Sequence, residues 1–251
     1  ERERELVETR DFAKEMSVLH ELSLKLTMHL SVDEVVQETY KQASRLLDTR
    51  NFMMSLYNPE RGEHEFVLNL TESEVDKELL TRQPANLGIS GYILHNKTPV
   101  LIKDNADRWA ISHGIQPLGE MAHSWLGVPL LLGNQVLGII ILQNYHQENV
   151  YDEHDRDLLM TIASSAAVAL QNARLFAEKK QAEREVLERA DRITALLTPM
   201  AESATRIARL TSKKPTAKDS QALLGELSRC ASDLSENLSE VLLLLDRAPR
   251  R

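Results

Sequence analysis

The 251-residue sequence has little cysteine, few aromatic residues and little positive charge. Its single cysteine, Cys230, excludes an internal disulfide and is typical of a protein of the reducing cytoplasm, where we expect this chain to be. No stretch approaches the roughly 18 consecutive apolar residues that a membrane span requires. The 30 Lys and Arg residues are outnumbered by 38 Asp and Glu, for a net charge of −8. This balance argues against nucleic acid as a partner, because sequence-independent binding needs a basic surface.

The residues that are present are unevenly distributed along the chain. The four Phe, two Trp and five Tyr residues all lie at or before Phe176, and eight of the nine glycines lie between Gly62 and Gly138. Residues 177–251 contain neither an aromatic residue nor a histidine. This distribution predicts a compact mixed domain that is flanked by helices.

Apolar spacing predicts helices at both ends of this domain. Apolar residues recur every three or four positions within 1–30, which predicts an N-terminal helix, and Ser31 is a good N-cap for the helix that follows. The same helical spacing resumes after Asp152.

Between these helices the apolar residues alternate, which predicts strands. Two hairpins are expected, with turns at 58–62 and 133–134, and a single strand is expected at 100–102. Short helices are expected within 71–80 and at 90–96, whereas the segment between 104 and 123 is predicted to be irregular. Hairpins covered by helices predict an α+β fold built on an antiparallel sheet.

Three segments of this region resemble the GAF domain family over residues 20–176. They are LGISGYILHNKTPVLIKD, SWLGVPLLLGNQVLGIIILQN and VYDEHDRDLLMTIASSAAVALQNARLF, in the order and at the spacing of that family. The resemblance implies a GAF-like antiparallel sheet with covering helices in 31–176. It also implies a dimeric, cytoplasmic sensory domain for a small-molecule, redox or other cue, without naming the ligand.

The resemblance implies a pocket between the sheet and the segment from Asp104 to His123. That segment has no cysteine, so a covalent bilin is not expected, whereas haem stays open because His113 or His123 could be an axial ligand. No Cys, His and acidic residues cluster at metal-ligand spacing. Trp109 either lines the pocket or plugs the core above the sheet. The candidate ligand-binding residues are Phe52, Met54, Trp109, His113, Met121 and His123.

The C-terminal part of the sequence predicts a helical hairpin. Apolar residues repeat at intervals of four and three, first in 177–212, as connecting helix and first hairpin helix, and again in 221–251, with a loop at 213–220 between them. One apolar stripe on each helix cannot close a core alone, so we expect two copies to form a four-helix bundle and the chain to be a homodimer. The predicted interface residues are Val186, Ala190, Ile193, Leu197, Leu227, Leu234, Leu238 and Val241.

A proline lies inside the first hairpin helix, within ITALLTPM. This segment resembles the dimerisation and phosphoacceptor domain of sensor histidine kinases, whose motif ends in Thr-Pro-Met as at Pro199. Thr194 occupies the position of the phosphoacceptor histidine, and Ala195 replaces the acidic residue after it. We therefore expect no catalytic residue here and no histidine-type autophosphorylation. The alternative is a generic coiled-coil hairpin with a chance match.

Together these features predict a module of two-component signal transduction. An N-terminal signalling helix at 1–30, a sensory domain and a degenerate histidine-kinase hairpin would relay a cue to a kinase catalytic domain, a partner kinase or a response regulator. The alternative is a non-sensing dimerisation or adaptor scaffold whose GAF fold is empty. A small redox enzyme of the GAF type is a third reading, but it would need cysteines in the pocket, and Cys230 lies in the hairpin.

Overall fold

The computed structural model describes residues 31–75, 82–118, 120, 122–212 and 220–246. The predictions for the N-terminal helix at 1–30, for Met121 and for most of the hairpin loop lie outside the described residues. The helices are α1 (Val32–Leu46), α2 (Gly88–Asn96), α3 (Ala106–Ser112), α4 (Glu153–Thr211) and α5 (Ser220–Asp246). None of them is both long and apolar enough to cross a membrane.

Helix α1 begins where the sequence predicts. The backbone N–H of Glu34 donates to Ser31 Oγ at 3.3 Å, and the backbone N–H of Ser31 donates to Glu34 Oε2 at 2.6 Å. This reciprocal capping box satisfies two donors that the first helical turn leaves without partners. Beyond the cap, Val35, Val36 and Ala43 bury the apolar side of the helix.

Within the part of the chain that the structure describes, seven antiparallel strands form one sheet. They are β1 (Asn51–Asn58), β2 (Glu63–Thr71), β3 (Glu74–Val75), β4 (Arg82–Pro84), β5 (Val100–Ile102), β6 (Ser124–Leu132) and β7 (Gln135–Asn144). Their order is β3-β2-β1-β7-β6-β5, and β4 also pairs with β2. Both predicted hairpins, the strand at 100–102 and the α+β class are confirmed.

Two segments differ from the sequence-based expectation. The helix expected within 71–80 is wrong for 71–75, because the chain reverses at Glu72 and Ser73 and then pairs as β3 with the end of β2. The backbone N–H of Ser73 donates to Arg50 O at 2.7 Å, which holds this reversal against β1. The segment predicted to be irregular contains α3, whose N-cap Asn105 accepts from the backbone N–H of Arg108 at 2.9 Å.

Helices cover both faces of the sheet, and alternate residues of β7 show the two layers. Ile140 and Leu142 belong to a core cluster shared with α1 and the first part of α4. Ile139 and Ile141 belong to a second cluster shared with α2 and α3. We call these the α1/α4 face and the α2/α3 face.

The chain divides into two compact units, Glu1–Ala177 and Glu178–Arg251, with the boundary inside α4. In the second unit, the last part of α4 and the whole of α5 form an antiparallel hairpin. Between the described parts of the two helices there are two ion pairs, Arg192–Glu240 at 2.7 Å and Arg206–Glu226 at 3.5 Å. The domain boundaries drawn from the sequence remain a prediction.

Candidate functional site

A cleft of about 790 Å³ lies on the α2/α3 face of the sheet. Its walls come from helix α2, the turns of the two hairpins, the loop before α2 and the segment 114–118 after α3. Tyr57 and Tyr92 line it with half-buried rings, and Leu94, Ile115 and Val136 contribute apolar surface. Concave apolar walls with a few polar groups are typical of small-molecule sites.

Two glycines explain how the loop before α2 forms this wall. Gly88 begins the helix with φ at +62°, in the left-handed region that side chains rarely adopt. At Gly91, a Cβ atom would lie 2.6 Å from the backbone carbon of Asn86, so the loop folds against the helix only because no side chain is present. The GxxG spacing of the sequence therefore serves the shape of the cleft.

Positive charge is found in the lining of the cleft. Lys97 follows α2 with φ at 59°, and its Nζ donates to the backbone oxygen of Asn134 at 2.7 Å and to Asn134 Oδ1 at 3.1 Å. Within the described residues Lys97 takes part in no ion pair, and no Asp or Glu lines the cleft. His95, which is exposed, also lines it.

An aromatic group lies beside the cleft and includes two of the predicted site residues. The rings of Trp109 and His113 stack with centroids 3.9 Å apart, and Tyr92 meets both rings edge-on, at 5.4 Å and 5.8 Å. His113 Nδ1 lies 2.8 Å from the backbone oxygen of Trp109 and 3.1 Å from Ser112 Oγ. Tyr92 connects this group to the cleft, because it lines the cleft and the other two do not.

The structure does not bring the other predicted ligand-binding residues to this place. Phe52 and Met54 are fully buried in the α1/α4 face, on the opposite side of the sheet from Trp109. His123 is exposed just before β6, with its Nδ1 3.9 Å from Glu148 Oε1. Sequence reasoning missed Tyr57, Tyr92 and Lys97. Strand and helix periodicity predicts their elements, but it does not show that these elements meet around a cleft.

His64 is the one fully buried histidine in the described residues, and it does not line the cleft. Its Nδ1 lies 3.0 Å from Ser55 Oγ, and its Nε2 has no hydrogen-bond partner in the described part of the chain. Burial lowers the pKa of His64 to about 4, so the ring is neutral at physiological pH. Among the described residues, no three His, Cys, Asp or Glu side chains are arranged to hold a metal ion.

The hairpin places the predicted interface residues on two different sides. Ile193, Leu227, Leu234 and Val241 are half-buried or buried between the two helices of one chain, whereas Val186, Ala190, Leu197 and Leu238 are exposed. Thr194 is also exposed, and its Oγ1 donates to the backbone oxygen of Ala190 at 2.9 Å. Pro199 is accommodated inside α4.

The two edges of the hairpin differ in chemistry. One edge, which we call the charged edge, consists of charged residues spaced seven or fourteen positions apart on each helix: Arg192, Arg206, Glu226, Asp233 and Glu240. The other edge, which we call the apolar edge, consists of alanine and leucine residues at seven-residue intervals on each helix: Ala190, Leu197, Ala204, Leu224, Ala231, Leu238 and Leu245. Both ion pairs lie on the charged edge. The apolar edge is exposed along its whole length.

Comparison with known proteins agrees with this architecture. The family model of the GAF domain matches residues 29–171 of the 251. The chain belongs to the GAF domain family. GAF domains are signal-sensing modules, so the resemblance found in the sequence is confirmed for this region. The resemblance of the hairpin to a histidine-kinase domain stays a prediction.

Solved structures of GAF proteins share this fold at low sequence identity. The GAF domain of a phosphoenolpyruvate-protein phosphotransferase from Coxiella burnetii has a TM-score of 0.55 and 15% identity, covering 65% of this chain and 96% of that one. A methyl-accepting chemotaxis protein has a TM-score of 0.52 and 14% identity, and the match covers 63% of this chain and 98% of that one. The free methionine-R-sulfoxide reductase of Neisseria meningitidis has a TM-score of 0.50 and 18% identity, and the match covers 65% of this chain and 92% of that one. These identities establish the fold alone.

Proposed function

We propose that the chain is the sensory module of a signal-transduction protein, in which the GAF unit binds a small molecule in the cleft and the hairpin transmits its state. The observation that supports this proposal is the continuity of helix α4. Its first part packs on the sheet through residues such as Leu159 and Ile162, and the same unbroken helix continues to Thr211 in the hairpin. A shift of packed helices is a known physical route for such a signal.

The hairpin is proposed to transmit the signal as a homodimer. Its apolar edge leaves four leucines exposed, with exposed fractions of 65% at Leu224 and 48% at Leu238 among them. Repetition at seven-residue intervals is the pattern by which helices pair, and the ion pairs already close the opposite edge. A second copy presents the same edge, so two hairpins can bury each other's leucines in a four-helix bundle.

In the proposed relay, the hairpin keeps the helical architecture of a histidine-kinase dimerisation domain but does not accept a phosphoryl group. Thr194 at the phosphoacceptor position bonds its own helix, and a threonine hydroxyl without an adjacent base is a weak nucleophile. A kinase catalytic domain, a partner kinase or a response regulator would then read the bundle. Transfer of labelled phosphate from ATP to Thr194 would contradict this part of the proposal.

Light scattering of matched variants tests the dimer. Leu238→Asp places a carboxylate on the apolar edge, whereas Ser239→Asp places one on the neighbouring exposed residue. We expect Leu238→Asp to weaken the dimer at least tenfold, because its charge would lose water on association, and Ser239→Asp to stay dimeric. A Leu238→Asp protein with an unchanged dimer mass would show that the apolar edge is not the interface.

Native mass spectrometry of the full chain tests the receptor. We expect the mass of a dimer plus the mass of a retained small molecule. In the Ile115→Trp variant, whose larger side chain would fill part of the cleft, we expect the mass of the small molecule to be absent. A dimer that retains nothing and binds no small molecule would favour the adaptor scaffold instead.

A further inference from the structure

The charge of the cleft differs from that of the chain as a whole. The protein carries eight more acidic than basic residues, yet the cleft contains Lys97 and His95 and no carboxylate among its described lining residues. An acidic protein that leaves one concave surface free of acid presents that surface to negatively charged solutes, because clefts focus the local field.

Lys97 is positioned as a binding group. Two hydrogen bonds to Asn134 hold its Nζ at the turn between β6 and β7, so less side-chain entropy is lost when a ligand binds than for an unrestrained lysine. An ammonium group has three donors, and these two bonds leave one for a ligand. No ion pair with a described residue compensates its charge.

The remaining wall of the cleft suits an apolar body. The lining residues Leu94 and Val136 are buried, while Ile115 is half-buried and Leu118 is 44% exposed. The rings of Tyr57 and Tyr92 offer flat surfaces against which an aromatic or aliphatic group can pack.

From these features we infer that the cleft takes a small organic anion, whose carboxylate, sulfonate or phosphate group bonds Lys97 and whose apolar body packs against α2 and the segment 114–118. The inference rests on the proposed use of the cleft as the ligand site and adds the chemical class of the ligand. A neutral metabolite of the same size would leave the charge of Lys97 without a partner.

Two fluorescent probes test the charge preference on the full chain. The anion 8-anilinonaphthalene-1-sulfonate and the neutral N-phenyl-1-naphthylamine share one ring system and differ in the sulfonate. We expect Lys97→Gln to weaken binding of the anion about two- to fivefold, the upper part of the range for an exposed ion pair, and to change binding of the neutral probe by less than about 1.5-fold. Leu118→Glu, which places a negative charge at an exposed lining position, should also weaken binding of the anion.

Lys41→Gln is the matched control, because it also removes one exposed lysine but lies on α1, on the other face of the sheet. It should leave both affinities unchanged. Equal losses in Lys97→Gln and Lys41→Gln, or equal losses of the two probes in Lys97→Gln, would overturn the inference. A neutral compound retained in native mass spectrometry would overturn it too while leaving the proposed receptor function intact.

Discussion

At the residue scale, Gly138 shows how tightly the centre of the sheet is packed. A Cβ atom at this position would overlap the backbone oxygen of Ser55 and approach Leu130 Cδ1 to 3.1 Å. The obstacle is the backbone of a neighbouring strand, which cannot rotate away as a side chain can. Gly225 is the opposite case, because a Cβ atom there meets nothing within 4 Å and the residue lies inside helix α5.

These two glycines give a paired prediction. Gly138→Ala should lower the free energy of unfolding of the sheet unit by on the order of 2 kcal/mol or more through overpacking. Gly225→Ala should stabilise the hairpin by about 1 kcal/mol, because alanine is the better helix former. Urea unfolding checks both. Tryptophan fluorescence follows the sheet unit, which holds Trp109 and Trp125, and the part of the change in ellipticity at 222 nm that does not accompany the tryptophan transition follows the hairpin. A Gly138→Ala variant with an unchanged free energy of unfolding would show that β1 and β7 can move apart without loss of stability.

The residue scale is also where sequence reasoning about the site was least complete. Alternation in β1 predicts that Phe52 and Met54 point to one face of a sheet, and both are buried as that pattern requires. Which face carries the cleft depends on which helices cover it, and alternation alone does not contain that information. Lys97 had no local signal at all, since its role comes from the nearness of Asn134, 37 residues later.

At the element scale, helix α4 contains Pro199 without ending there. Proline has no backbone N–H, so the carbonyl of Ala195 receives no helical hydrogen bond from this position. The hydroxyl of Thr198 donates to the neighbouring carbonyl, the backbone oxygen of Thr194, at 3.2 Å, and so does not replace the missing bond. The hairpin therefore carries a locally weakened helix next to the proposed dimer contact at Leu197.

Removing this proline should stabilise the hairpin. Pro199→Ala restores one backbone hydrogen bond and removes a steric clash, so we expect the unfolding free energy of the hairpin to rise by about 1–3 kcal/mol. Thermal melting followed at 222 nm measures the change, and Thr198→Ala serves as the neighbouring control with an effect below about 1 kcal/mol. A Pro199→Ala protein that melts at a lower temperature would mean that the hairpin packs better with the proline in place.

Element types with a strong local period were predictable, and those set by distant pairing were not. The two hairpins, helix α1 and its Ser31 cap follow from alternation and capping within a few residues. Strand β3 comprises Glu74 and Val75 among the described residues, and it is a strand because it pairs with Leu70 and Thr71 of β2. Its acid-rich sequence favours a helix, and the tertiary pairing outweighs that preference.

At the scale of the whole molecule, two units share one chain and one long helix. All aromatic residues lie in the first unit, so their fluorescence reports on that unit alone. The second unit has apolar residues that remain exposed in a single copy. Stability of the two units should therefore depend differently on protein concentration.

Concentration-dependent unfolding tests this division. A fifty-fold rise in protein concentration should raise the urea midpoint of the hairpin transition, because association stabilises the folded form by mass action. The midpoint of the tryptophan transition should move less, and Leu238→Asp should abolish the shift of the hairpin. Identical shifts for both probes would mean that the units unfold as one body.

By itself, the sequence determined the helices and strands that local periodicity specifies, the α+β class and the membership of residues 29–171 in the GAF domain family. Tertiary structure decided which face of the sheet holds the cleft, that Lys97 lines it with no Asp or Glu among the other described lining residues, and which side of the hairpin stays apolar. The physical reason is the separation along the sequence over which each effect acts. Periodicity and capping act within a few residues, whereas a cleft and an uncovered edge exist only after distant elements have packed.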